Sequence, residues 1–588
     1  MVSGYAIEVT NLSFRYATRG RPALREVSFA LRHGEMALLL GPSGSGKSTL
    51  ALCLNGLIPH QIEGEWSGRV RVDGLEVGDT HPSLITQKVG IVFQDPESQF
   101  CMLTVEEEIA FGLENLGLSR AEMEERLVHA LRLLGLEHLR RTRLDRLSGG
   151  IKQKVALASA LAMGCHILIF DEPTANLDPR GTDEVFRLLT ELRATGQYTI
   201  LVVEHKLDDL LPQVDRLLVL GKEGDLVADG DPRAVLAKQS ETLRREGVWL
   251  PQVAKLALEL GEAGLTLAPL PLSVEEAQAA LERLDGRLAA ALPGATEAWE
   301  PAADAHQDGA PALEIGDLHY SYPRGQNALA GASLSVKRGD FLALVGPNAA
   351  GKTTLALHAV GILQPQAGTV AVFGRDVRGL GLGELTRRVG FVFQNPEHQF
   401  VTDAVYDELA YSLRARKVSE PELRAVVEST LGDFGLERLA GANPFTLSQG
   451  QKRRLSVATM LVVGQEILIL DEPTYGQDSA NAAQLAGHLR RLNAEGKTIV
   501  VITHDMQFVA EHCRSAAVLL DGAVTYQGSV GELFRQSSLL SRAGLARPSL
   551  LNLSLRLRRT YPDFPLLWAA WQFRQLLAPA SHRQIRER

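Results

Sequence analysis

Two short stretches of this chain have the residues to hold a phosphate. GPSGSGKST at 41–49 and GPNAAGKTT at 346–354 both fit the pattern G-x-x-x-x-G-K-[ST]. The first supplies Gly41, Gly44, Gly46, Lys47, Ser48 and Thr49; the second supplies Gly346, Gly351, Lys352, Thr353 and Thr354. In such a loop backbone N–H groups converge on phosphate oxygens and the following helix adds partial positive charge. The lysine reaches the outer phosphates, and the hydroxyl of Ser48 or Thr353 binds Mg2+. The second loop has Ala349 where the first has Gly44. If that position needs a positive φ, alanine costs about 1 kcal/mol there, and nucleotide binding is expected to be weaker but not lost.

Further along, FDEP and LDEP close apolar strands with paired acids. Asp171 and Asp471 are placed to hold Mg2+, and Glu172 and Glu472 to polarise an attacking water. His205 and His504, each just after an apolar strand, can contact a terminal phosphate. Acids at a strand end can be a solvated turn, and a lone histidine there is often structural; the recurrence of both behind a phosphate loop favours chemistry. LSGG (147–150) and LSQG (447–450) open amphipathic helices. Serine plus glycine backbone at a helix N-terminus makes a second anion site, or merely an N-cap.

These pieces belong to two copies of one module. IVFQDPESQF (91–100) recurs as FVFQNPEHQF (391–400), and the registers of the loops, the LS-G stretches and the DEP strands match at an offset of 305 and then 300. The strands that must position the acids and loops are short apolar runs: EMALLL, HILIF and YTILVVEH, then DFLALV, EILIL and KTIVVITH. Strand, glycine loop, helix and further strand-helix units imply an α/β core with a mostly parallel sheet in each module. TVEEEIAFGLENL and AEMEERLVHALRLLGL have helical spacing and predict a helical subdomain. The expected organisation is a first module over 1–235, a helical extension over 236–290, a linker over 291–311, a second module over 312–540 and an extension over 541–588. The two extensions echo each other at Pro251 and Pro548.

A net charge of −9 argues against a nucleic-acid partner. The scattered Cys53, Cys101, Cys165 and Cys513 make neither a zinc set nor a redox pair and fit a reducing setting. No uninterrupted apolar run reaches the ~18 residues a membrane span needs, so a membrane role would go through a partner.

Phosphate loop, glutamine, signature, DEP and histidine in this order resemble the ATP-binding-cassette (ABC) ATPases. That resemblance implies two tandem P-loop cassettes, each with a RecA-like parallel-sheet core and a helical subdomain, packed head to tail around ATP and Mg2+. Tyr16 and Tyr322 would stack on adenine, Gln94 and Gln394 would join the Mg2+ ligands and the membrane-facing helices, and Asp178 and Asp478 would lie where the cassettes meet. The site built on Lys47, Asp171, Glu172 and His205 would be completed by Ser448, Gly450 and Gln451. Its twin on Lys352, Asp471, Glu472 and His504 would be completed by Ser148, Gly149 and Gly150. Ile151 replaces the usual signature glutamine and Gln449 its first glycine, which puts equal turnover in doubt.

The Gln phrases, EPTYGQD and the proline-bearing extensions look like the energy-coupling-factor (ECF) class of importers. There the ATPases sit on the cytoplasmic face of the membrane with a transmembrane coupling protein and a small substrate-binding membrane protein, and take up vitamins such as thiamine or its precursor, cobalt or nickel. Soluble tandem cassettes acting on ribosomes and other importer classes are the alternatives. FPLLWAAWQFRQLL (564–577), flanked by Arg558, Arg559 and Arg574, reads as a helix with Trp568 and Trp571 on one face, suited to a membrane surface or to packing on the chain's own extension.

Overall fold

The computed structural model describes residues 4–18, 20–175, 177, 179–204, 208–284, 286, 310–323, 327–474 and 476–577. His205, Asp178, most of the expected linker (291–309) and the last residues (578–588) lie outside them. The chain divides into two compact units, Met1–Leu288 with Phe573–Arg588, and Ala289–Gln572.

In the first unit a six-stranded sheet runs in the order Leu226–Gly230, Arg216–Leu220, Met36–Leu40, Thr199–Val203, Ile167–Asp171, Val89–Val92. All neighbours are parallel except the edge pair 226–230 with 216–220. The central strand Met36–Leu40 is apolar at every position because both faces are covered. Met36, Leu38 and Leu40 join the core beneath the helices, while Ala37 and Leu39 join a second core. That second core lies under an antiparallel sheet ordered Leu24–Arg32, Tyr5–Tyr16, Gly64–Val72, Leu75–Glu76, which the sequence reading did not separate out. Each fully buried leucine contributes roughly 1.5–3 kcal/mol.

The second unit repeats the plan: Val389–Val392, Ile467–Asp471, Thr498–Ile502, Phe341–Val345, Ser515–Leu520, Ala523–Ser529, with an antiparallel sheet of Asn327–Lys337, Pro311–Ser321, Ala367–Val372 and Arg375–Asp376.

The expected helical subdomains are Val105–Asn115 with Arg120–Leu133, and Val405–Ala415 with Glu420–Phe434. Thr104 with Glu107, and Ser119 with Glu122, close capping boxes that start the first pair. A buried acid inside each subdomain, Glu108 or Glu408, accepts backbone N–H bonds from the two residues after the Gln phrase: Cys101 and Met102 (3.0 and 2.9 Å), or Val401 and Thr402 (3.0 and 2.9 Å).

The C-terminal segment corrects the single-helix reading of 564–577. The helix spans Ala570–Leu577, so Trp568 precedes it; Trp568 is buried against Phe534, and Trp571 is 40% exposed. Before the helix, Leu567 N–H donates to Ser554 (3.1 Å) and Trp568 O accepts from Gln507 (3.1 Å), so this stretch is bonded to neighbouring helices instead of continuing its own.

Candidate nucleotide sites

Each phosphate loop links a central strand to a helix, Met36–Leu40 to Lys47–Asn55 and Phe341–Val345 to Lys352–Ala359. Glycine is required just before the lysine: Gly46 and Gly351 sit at φ 94° and 101°, and a Cβ there would fall 2.3 Å from Ala23 O and 2.4 Å from Ala328 O. Lys47 Nζ donates to Gly41 O and Pro42 O (2.9 Å each), and Lys352 Nζ to Gly346 O and Pro347 O (2.9 and 2.8 Å), so each ammonium is folded back over its loop. Gly44 has φ 83° and Ala349 has φ 61°, the left-handed conformation the sequence comparison asked about. A Cβ at Gly44 meets nothing within 4 Å, so alanine fits the space and bears only the conformational cost.

The tyrosines expected near adenine are held to these helices. Tyr16 and Thr49 hydroxyls are 3.0 Å apart, and those of Tyr322 and Thr354 3.1 Å, with Phe14 and Tyr320 edge-on behind the rings. Thr49 and Thr354 thus fix the positions of the two tyrosine hydroxyls.

At the carboxylate ends, Asp171 and Asp471 finish their strands and are buried. Glu172 and Glu472 follow at φ 50° and 47°, with N–H groups donating to Val203 O (2.9 Å) and Ile502 O (2.8 Å). A non-glycine residue in this region costs of order 1–3 kcal/mol, and the same strain at both acids marks positions held for their side chains. Glu172 Oε2 accepts from Gln94 Nε2 (3.0 Å). Glu472 Oε1 lies 2.8 Å from His504 Nδ1, and Oε2 accepts from Thr503 (3.2 Å). Burial alone would raise the Glu472 pKa, but His504 and Lys352, together with hydrogen bonds from His504 and Thr503, hold it below the usual carboxylate range. Asp471 goes the other way: burial raises it, and the Thr353 hydroxyl 2.7 Å away offsets this only in part.

A hydroxyl and a buried carboxylate side by side are hard oxygen donors, a set that suits Mg2+ held jointly with phosphate oxygens. Among the described residues no group of three or more His, Cys, Asp or Glu is arranged to hold a metal by itself.

The signature helices run Gly149–Ala162 and Gln449–Leu461. Ser448 and Gln451 form a capping box: Gln451 N–H donates to Ser448 Oγ (3.4 Å), and Ser448 N–H to Gln451 Oε1 (3.0 Å). Ile151 cannot close that box, and Ser148 makes no side-chain cap bond. Gly450 is buried and Gly149 and Gly150 lie in the first turn of their helix. Asp478 caps the helix after the second DEP strand, accepting from Asn481 N–H (2.8 Å).

Sequence reasoning missed several fasteners. Buried Arg453 donates to Phe393 O and Gln394 O (2.6 Å each) and to Glu472 O (3.2 Å). The first unit has Gln153 there, bonded to Pro173 O. Glu204, 2% exposed, accepts from Thr174 N–H and hydroxyl (3.2 and 2.7 Å), where the second unit has Thr503. The only signal in the sequence was the mismatch itself, VEH against ITH and KQK against KRR.

The family model described as "ABC transporter" matches residues 24–175 and 329–475. The chain is 41% identical over 551 residues to "Putative HMP/thiamine import ATP-binding protein YkoD" of Bacillus subtilis (strain 168), spanning 92% of this chain and 95% of that one. It is 38% identical over 573 residues to a "Putative ABC transporter ATP-binding protein" of Methanosarcina acetivorans, spanning 95% and 92%. A solved structure of cbiO1 from Clostridium perfringens, described as part of the ABC transporter complex cbiONQ, is 32% identical over 42% of this chain and 97% of that one, with a TM-score of 0.37. With two matched domains and relatives that share almost its whole length, the chain belongs to the ABC transporter ATP-binding proteins: an ABC-type ATPase with two cassettes fused in one polypeptide.

Proposed function

We propose that this chain is the ATP-hydrolysing subunit of an ECF-type importer, working at the cytoplasmic face of a membrane with a transmembrane coupling protein and a small substrate-binding membrane protein. The observation that carries the reading is the doubled Gln phrase in a chain that shares 92% of its length with YkoD. The HMP/thiamine import in that relative's name makes thiamine or its pyrimidine precursor the first cargo to test, ahead of other vitamins, cobalt and nickel. Among the described residues no helix is long and apolar enough to cross a membrane, which fits a subunit that acts through partners.

Two composite sites do the chemistry. Lys47 and Lys352 leave their loop carbonyls for the outer phosphates, Tyr16 and Tyr322 stack on adenine, and each signature serine contacts the terminal phosphate held by the other cassette. Ser448 can cap and bind at once, because its oxygen accepts from Gln451 N–H while its proton is left to donate. Glu472, kept ionised between His504 and Thr503, takes a proton from the attacking water at a carboxylate oxygen, and Glu172 does the same in the first cassette. Ser48, Gln94 and Asp171, and Thr353, Gln394 and Asp471, would hold Mg2+, which when bound neutralises phosphate charge. Closure of the cassettes around ATP, followed by release after hydrolysis, would move the membrane partners.

The test is purification of the tagged chain from detergent-solubilised membranes, followed by uptake of labelled thiamine into vesicles. Two membrane proteins should co-purify, and uptake should need ATP. Recovery with ribosomes alone would overturn the reading.

A further inference from the structure

Both cassettes carry a link that the chemistry above does not use. Lys152 and Lys452, in the second turn of the signature helices, are only 9% and 7% exposed. Their ammonium groups meet Glu97 and Glu397, the latter pair at 2.5 Å. The lysine stems are buried while Glu97 and Glu397 are 65% and 39% exposed, so each contact sits where a buried stem reaches the surface and fixes the point at which phrase meets helix. The glutamates are themselves fixed, since Asp95 and Asn395 accept from the Glu97 and Glu397 N–H groups (3.1 and 3.0 Å) in the turns Pro96–Gln99 and Pro396–Gln399. In the first cassette one end of the phrase therefore reaches Glu172 through Gln94 and the other grips the helix whose first residue follows Ser148, while in the second Arg453 of the signature helix binds both Gln394 O and Glu472 O.

We propose that Lys152 with Glu97, and Lys452 with Glu397, are positioning pairs that make each Gln phrase and signature helix move as one body. A shift at one cassette's catalytic acid is thereby carried to the signature serine offered to the other cassette's nucleotide. This rests on the composite-site reading.

The two linkages differ in stiffness. In the second cassette the same helix also holds the phrase through Arg453, and through Gln399 Nε2 donating to Ser456 O (2.8 Å) and Thr459 Oγ1 (2.9 Å). In the first, Gln99 turns back and accepts from Phe93 N–H (3.1 Å). The first pair bears more of the connection, so breaking it has the larger effect.

The test uses the purified full chain, with MgATP turnover, ATP KM and thermal unfolding measured for each variant. Glu97 and Glu397 are the exposed partners, so Glu97→Gln and Glu397→Gln leave the cores intact. Glu97→Gln should lower kcat about tenfold and Glu397→Gln about threefold, with KM and Tm nearly unchanged. The swap Glu97→Lys with Lys152→Glu should recover most of the loss, giving a clear coupling in the double-mutant cycle. Parental turnover in both single variants would overturn the proposal. So would a loss that tracks Tm and that the swap does not recover, which would mark a packing role. Neither result touches the composite sites, which are tested separately through Ser448.

Discussion

The two cassettes share a fold and a strained glutamate after the DEP aspartate, yet the turn around that glutamate is fastened by different residues. Glu472 is held by His504 and Thr503, and its carbonyl by Arg453, which also binds the carbonyls of Phe393 and Gln394. Glu172 is reached by Gln94, while the turn after it is tied down by buried Glu204 on Thr174 and by Gln153 on Pro173. The second centre is clamped from behind by a cation, and the first is braced by a carboxylate and an amide. Both copies keep φ near 50° at this glutamate, so its backbone geometry is shared while the residues around it differ.

The largest effect should come from removing both bases. Glu172→Gln with Glu472→Gln should cut turnover by about 100-fold or more while ATP still binds. The single variants then show how unequal the sites are, with the larger loss expected from Glu472→Gln; equal losses would erase the distinction. Arg453→Gln copies the first cassette's arrangement into the second. Freeing three carbonyls from a buried guanidinium should cost roughly 2–4 kcal/mol in the second unit's stability, read by calorimetry, and lower its share of turnover.

Acid should also separate the halves. His512 is buried against Phe508, with Glu511 at 3.9 Å, and its Nδ1 has no partner among the described residues; burial, then Arg490, lowers its pKa to about 4. A depressed pKa means that the stability is fully present above pH 6.5 and is lost as pH falls through about 4. The first cassette has Gln213 at the aligned position. The second unit should therefore lose up to about 3 kcal/mol through His512 between pH 7 and pH 4, and His512→Gln should remove that part of its acid sensitivity. The smallest change is Ala349→Gly, which relieves about 1 kcal/mol of left-handed strain already present without nucleotide and should raise the second unit's stability by about that much, with ATP affinity raised only if binding needs the loop held in this conformation. Unchanged affinity would mean that the strain does not bear on binding.

How far the sequence reached follows from the kind of interaction involved. The loops, paired acids and parallel strands were legible because backbone geometry and strand burial demand particular residue types at fixed spacing: Gly46 cannot carry a Cβ, and Met36–Leu40 must be apolar on both faces. Even the φ at Ala349 could be anticipated from its partner Gly44. Fasteners such as Arg453, Lys452 and Glu204 were not legible, because a charged residue in a helix or at a strand end reads as solvated until the fold buries it. The C-terminal tryptophans failed for a related reason. Helical spacing at 564–577 is real, but Ser554 and Gln507 take the backbone groups of Leu567 and Trp568, and the helix starts only at Ala570.

If each nucleotide is gripped by both cassettes, azidoadenine ATP trapped in the Glu172→Gln/Glu472→Gln chain reveals it directly. Photolabel should appear on the peptides carrying Tyr16 and Tyr322. Adding Ser448→Glu should remove it from the Tyr16 peptide and leave the Tyr322 peptide labelled; loss from the Tyr322 peptide instead would show each signature serving its own cassette and contradict the account.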